Sequence, residues 1–116
     1  MRVGLVACCK TKLDRAAPAK ELYTSPMFRY SVRWLTNNHR CDEWGILSAK
    51  HGLVLPDQVL SPYDLYLGSM KPKQRDAWAE RTRQQIVDRW GTGAIYLVLM
   101  GHSYKSALRD LMVEDP

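Results

Sequence analysis

Apolar residues gather in three short runs, each ending abruptly in a polar cluster, and that repetition sets the expected architecture. Val3 to Ala7 is the first run, apolar on both faces as a strand inside an α/β sheet must be. It delivers Cys8-Cys9-Lys10-Thr11-Lys12 at its carboxyl end. Trp44 to Ala49 is the second, and it changes character within two residues. Ser48, Lys50 and His51 place a hydroxyl, an ammonium and an imidazole where the strand ends, and Gly52 lets the backbone turn sharply. Ala94 to Met100 is the third and clearest run, ending in Gly101-His102-Ser103-Tyr104.

Helical periods fill the intervals. Thr24-Ser25-Pro26 announces a helix, with Ser25 as N-cap and proline at the first helical position. Met27, Ser31, Trp34 and Leu35 then repeat at helical spacing until Asn37-Asn38. Ser69-Met70-Lys71-Pro72 opens a second helix of about 18 residues, in which Trp78, Thr82, Ile86 and Trp90 recur every fourth position before Gly91 closes it. A short third helix carries Tyr104, Ala107, Leu108 and Leu111 on one face, with Ser103 as its expected cap. Between Gly52 and Met70 lie roughly 18 residues without a clear period, holding two prolines and two tyrosines. A segment that long inside a compact domain is usually functional or disordered, and this one is too rich in Leu, Val and Tyr for a solvated tail. It is read as an ordered flap carrying site residues.

Three strands, each followed by a helix or a long excursion, predict a single α/β domain over residues 1–116. Its sheet is small and mostly parallel, with flanking helices. Ligands of such sheets bind beyond the carboxyl ends of the strands, where all three polar clusters fall. A chain with 46% apolar residues can build a core without staples. No apolar run is long enough to span a bilayer, so no membrane partner is expected, and a buried first strand explains the N-terminal run better than a signal peptide. Three cysteines, an odd number, make no disulfide framework, and cytoplasmic localisation is the default expectation.

The net charge of +5 suits solubility by itself, but it is unevenly placed. Residues 1–60 hold nine Lys/Arg against five Asp/Glu, and residues 61–116 hold eight against seven. A basic excess beside the clusters fits an anionic ligand: phosphate, nucleotide or nucleic acid. His39, His51, His102 and the cysteines lack metal-ligand spacing, so no metal and no cofactor are expected. There is no nucleophile elbow, Walker loop or dinucleotide fingerprint.

What remains is a cationic, hydrogen-bonding site. Lys10, Lys12 and Lys50 are the candidates to neutralise phosphate, with Ser48 and backbone amides fixing its geometry. Of the adjacent cysteines, Cys9 is assigned to the site and Cys8 to the core, because neighbours on a strand face opposite ways. Ser25 is a helix cap whose positive helix terminus suits an anion. Gly52, Gly101, His102 and Tyr104 complete the ligand-contacting set. Tyr63 either stacks on a base or packs the flap down. Asp64, the flap's own carboxylate beside the lysines, either orients water and steadies positive charge on a sugar or makes a local turn contact. His51 is the matching acid or base, or else a structural histidine.

These residues resemble a family of small bacterial and phage domains of unknown function. The pattern is Cys-Ser-x-x-Lys after strand one, Ala-x-x-Leu-Tyr-x-Ser-x-x-Phe, Trp-x-Ile-Leu-Ser-Ala-Lys-x-Gly-Leu, and Pro-Tyr-Asp. It is met here by Cys8 to Lys12, Ala19 to Phe28, Trp44 to Leu53 and Pro62-Tyr63-Asp64, with Gly101-x-x-Tyr104 beyond. Cys9 departs from it by standing where that pattern has serine, and a thiol is the poorer hydrogen-bond donor. More distantly the arrangement is similar to the peroxide-stress YaaA family and to a uracil-DNA-glycosylase-like domain of archaeosine-synthesis enzymes. That likeness implies a Rossmann-like or uracil-DNA-glycosylase-like three-layer fold and a nucleobase, nucleotide or nucleic-acid ligand. It also implies an enzyme acting on an N-glycosidic bond, with Asp64 and His51 handling water and protons. The other expectation is a non-catalytic nucleic-acid-binding module, for example in stress response or phage biology.

Overall fold

The computed structural model describes all residues, 1–116, and its centre is the first apolar run. Strand β1 (Arg2–Ala7) is flanked on one side by β3 (Glu43–Ser48) and on the other by β6 (Ile95–Leu99), both parallel to it. A short β4 (Gly52–Val54) folds back antiparallel on β3, and β7 (Met112–Glu114) runs parallel to β6 at the opposite edge. The sheet is therefore five-stranded and mostly parallel, in the order β4-β3-β1-β6-β7. The three inner strands are those expected from the apolar runs, within a residue or so at each end. The two edge strands are additions, because three-residue strands are too short to show a period.

Helices cover both faces. On one side α2 (Pro26–Asn37) packs its buried Phe28, Ser31 and Leu35 onto a cluster holding Val6, Ile46 and Leu97. Gly4 in β1 makes this approach close: a Cβ there would stand 2.7 Å from both methyls of Leu35. On the other side α3 (Pro72–Trp90) packs Trp78, Ala79 and Ile86 against Val3, Leu5, Leu47, Tyr96 and Val98. Alternate residues of each strand thus serve separate cores, which explains their continuous apolar character. The caps follow the chemistry expected: the Phe28 amide donates to Ser25 Oγ at 3.1 Å, and Gly91, at φ 82°, closes α3. No helix is long and apolar enough to cross a membrane.

Three expectations need correction. Phe28, not Met27, faces the core from α2, and Met27 is 74% exposed. The first turn begins at Pro26, so the buried stripe falls on positions 28, 31 and 35, one residue on from where the methionine starts it. Gly101 rather than Ser103 caps the last helix, α4 (His102–Lys105), which continues as a 3-10 turn over Ser106–Leu108. The flap is not free of regular structure. It contains β4, then β5 (Val59–Leu60), which pairs antiparallel with β2 (Ala17–Pro18), and then a 3-10 turn over Leu67–Ser69. The Ala19 and Lys20 amides, at the start of α1 (Ala19–Leu22), donate to Gln58 and Pro56 carbonyls, so the connector after β1 holds the flap down.

Candidate functional site

Ser48, wholly buried at the end of β3, ties three parts of the chain together. Its carbonyl accepts from Trp78 Nε1 of α3 at 2.8 Å. Its hydroxyl oxygen accepts the backbone amides of Lys50 and His51, at 3.2 and 3.1 Å, and lies 2.6 Å from the Tyr63 hydroxyl of the flap. With both lone pairs taken by amides, the Ser48 proton goes to Tyr63. Tyr63 then donates to the buried Tyr23 hydroxyl, also at 2.6 Å. The turn that follows is fixed from α3: Gln85 Oε1 accepts the Leu53 amide at 2.8 Å and its Nε2 donates to the His51 carbonyl at 3.4 Å. Gly52 takes φ 73° there, a conformation glycine adopts without strain.

Lys12 closes the opposite side. Its ammonium donates to the Cys9 and Lys10 carbonyls at 2.9 and 3.1 Å, curling the chain after β1 into a loop. The same ammonium stands 4.5 Å from the centre of the Tyr63 ring, a cation–π contact that binds loop to flap. Two donors are occupied by carbonyls, so one N–H remains for a ligand.

Between the loop and the flap lies a cavity of about 470 Å³. Cys8, Cys9, Lys10 and Lys12 line it from the β1 side, Asp64, Leu65 and Tyr66 from the flap, and Tyr104 from α4. A second cavity of about 460 Å³ opens on the α2 side, where Ser25, Ser31, Phe28, Val98 and Gly101 meet the same two cysteines. Both lie at the carboxyl ends of β1 and β6. The chain steps from β1 outward to β3, then crosses β1 to β6, so strand order reverses between these two strands. Crevices at such reversals are where open α/β sheets bind ligands.

The electrostatics are lopsided. None of Lys10, Lys12, Lys50 or Asp64 takes part in an ion pair, although the chain forms six elsewhere. The tyrosines resist ionisation: burial pushes Tyr23 up to about 12, the bond from Tyr63 opposing, and burial likewise raises Tyr63 and Tyr104. They therefore stay neutral at ordinary pH. Tyr104 shares a hydrogen bond with the Cys8 thiol at 3.3 Å. Burial, and then the Lys50 charge, lower His51, leaving its ring neutral at neutral pH. No group of three His, Cys, Asp or Glu residues is placed to hold a metal ion.

The expected site residues divide. Cys9, Lys10, Lys12, Asp64 and Tyr104 share the flap cavity. Ser25 and Gly101 line the α2-side cavity. Ser48, Tyr63 and Gly52 lie behind the wall: Ser48 and Tyr63 hold the flap, and Gly52 forms the turn. Two placements contradict the expected convergence on one pocket. Lys50 lines a separate pocket against α3, its ammonium 5.9 Å from the Tyr63 ring. His51 sets its ring edge-on against Tyr63, centroids 5.4 Å apart, outside the cavity that holds Asp64. The cause is Ser48, whose hydroxyl accepts the amides two and three residues on, so the chain turns there and carries the Lys50 and His51 side chains away from that cavity. His102 is exposed and borders neither cavity. Cys8, expected in the core, packs against it but also lines both cavities with Cys9, because β1 ends at Ala7 and strand alternation stops there.

Sequence reasoning missed Tyr23 and Tyr66. Tyr23 has no polar pattern around it in the sequence, and only the shared hydroxyl chain shows its role. Tyr66 follows the Pro-Tyr-Asp motif by two residues, and alternation along an extended segment was the available signal.

Comparison with known proteins supplies a family without a function. The model of a family of unknown function, DUF6884, matches residues 3–115. The uncharacterized protein YfjM of Bacillus subtilis is 31% identical over 121 residues, covering 97% of this chain and 78% of YfjM. No solved structure matches the chain significantly.

Proposed function

The chain belongs to the DUF6884 family of unknown function, and from its geometry we propose that the flap cavity binds a phosphorylated nucleotide or a nucleotide unit of nucleic acid. One observation carries the reading. Two lysines without carboxylate partners line the same cavity as an unpaired aspartate and two tyrosines. Small-molecule pockets run from roughly 300 to 1,000 Å³, so a volume of about 470 Å³ suits a single nucleotide. Lys10 and the free N–H of Lys12 take the phosphate, and Tyr104, neutral by burial, donates a hydrogen bond to the base or sugar.

Asp64 has no use as a phosphate ligand, since like charges repel. Its proposed work is at the base–sugar bond. The carboxylate takes a proton from a water molecule as that oxygen bonds to the anomeric carbon. The carbon–nitrogen bond breaks, and the base leaves with the bonding pair and gains a proton from solvent. His51 stands behind Tyr63 and takes no part. The test is to incubate the protein with nucleotides and single-stranded oligonucleotides and follow free base by chromatography. Base release that falls about 10²-fold in Asp64→Asn is the expected result.

The second reading, a nucleic-acid-binding module without chemistry, is favoured by one feature: Asp64 is solvent-exposed and forms no ion pair. Binding without any base release selects it.

A further inference from the structure

We propose that the ligand is a single-stranded nucleic acid rather than a free nucleotide, a narrowing that rests on the nucleotide reading above. The strand crosses the flap at Leu65 and Tyr66 to reach a second basic pocket formed by Lys50 and Arg81.

Leu65 borders two concavities. One is the flap cavity of Lys10, Lys12 and Asp64, and the other is a pocket of about 370 Å³ against α3, lined by Lys50, Gln74, Trp78 and Arg81. The flap is therefore a ridge with a basic hollow on either side. Lys50 and Arg81 form no ion pair, so their charges are available to an anion. A mononucleotide in the first hollow leaves the second unused, whereas a chain of phosphates supplies an anion to each.

The ridge itself is built for a base. Tyr66 is 68% exposed and Leu65 39% exposed, an unusual display for a segment whose next residue, Leu67, is wholly buried. The ridge is held rigid, because the Ser69 hydroxyl and amide both donate to the Tyr66 carbonyl, at 2.7 and 3.1 Å. The Tyr66 ring lies against the backbone of Gly68, where a Cβ would come within 2.6 Å of Cε1. One side of the ring is thus braced and the rest is open. Aromatic rings between cationic hollows are the means by which proteins hold single strands, whose unstacked bases offer a free face. A duplex keeps its bases stacked inside and offers Tyr66 nothing.

The experiment is fluorescence anisotropy with a labelled mononucleotide, a single-stranded hexanucleotide and its duplex, each over a salt series. The single strand is expected to bind at least tenfold more tightly than either of the others. The K50A/R81A double variant should bring the hexanucleotide down to mononucleotide affinity, leave the mononucleotide unchanged, and reduce the salt slope by about 1.4. Tyr66→Ala, and separately Gly68→Ala, which displaces the ring without removing it, should each weaken the hexanucleotide about tenfold. Equal affinity for mononucleotide and hexanucleotide, or for single strand and duplex, overturns the proposal and leaves the nucleotide cavity standing. Hexanucleotide binding that needs Lys50 and Arg81 but not Lys12 keeps the ridge and overturns the nucleotide cavity. Binding of none of the three probes overturns both.

Discussion

The Ser48 hydroxyl and the Tyr63 hydroxyl lie 2.6 Å apart, and this contact joins the end of the central sheet to the flap that covers the cavity. Ser48 is fully buried, and its oxygen also terminates the amides of Lys50 and His51. Position of the flap and shape of the strand end are therefore one property. That coupling fixes where Asp64, the residue after Tyr63, meets the cavity.

Removing either hydroxyl should loosen the flap, but by unequal amounts. Tyr63→Phe leaves the Ser48 and Tyr23 hydroxyls without their partner, a loss of about 1–2 kcal/mol. Ser48→Ala also takes the acceptor from two half-buried amides and should cost about 2–4 kcal/mol. Urea midpoints rank the two variants, and amide exchange over residues 55–66 locates the effect. Equal midpoints would show that the amides find other partners.

Gly52 tolerates no side chain. Its φ of 73° is left-handed, and a Cβ there would overlap Gln85 Oε1, the acceptor for Leu53. Gly52→Ala should destabilise by about 2–3 kcal/mol, combining backbone strain with loss of that bond. Gly93, where a Cβ meets nothing within 4 Å, is the control, and Gly93→Ala should stay within about 0.5 kcal/mol of wild type. Thermal melts of the pair decide it.

Alkaline pH should unfold the protein through its tyrosines. Burial pushes the Tyr23 phenol up to about 12 in the fold from 10.0 when free, so between those values the unfolded chain releases a proton that the folded one keeps. Stability is complete below about pH 10 and declines up to about pH 12, with Tyr63 and Tyr104 acting in the same direction. Urea midpoints across that range should fall less steeply in Tyr23→Phe than in wild type, from a lower starting value. Parallel slopes would assign the decline to other groups.

Within the flap cavity, opposite charges should shift affinity in opposite directions. Lys12→Ala removes an unpaired cation and should weaken nucleotide binding about tenfold, with a shallower salt dependence. Asp64→Asn removes repulsion on the phosphate and should leave affinity unchanged or raise it about twofold. Isothermal titration reads both, and weakening by both variants would place Asp64 among the binding groups instead.

The three inner strands, the capped helix from Ser25 and the long helix closed at Gly91 are determined by local sequence alone. Continuous apolar runs, a cap followed by proline and a four-residue period are each written in neighbouring residues. The same holds for the general location of the site, because polar clusters after Ala7, Ala49 and Met100 mark strand ends whatever their partners. Tertiary structure alone decided which of those residues share a cavity. Lys50 and His51 lie two and three residues after Ser48, yet neither lines the cavity that holds Asp64. The Ser48 hydroxyl accepts both their amides and is itself held by Tyr63, fifteen residues on, while Gln85 of α3 fixes the turn; no local pattern can register Tyr63 or Gln85 as partners. Cys8 joined the cavities for a similar reason, since alternation predicts facing only while a strand lasts. Edge strands β4 and β7, three residues each, exist because a neighbour offers them a ladder of hydrogen bonds. Their sequences carry no period of their own.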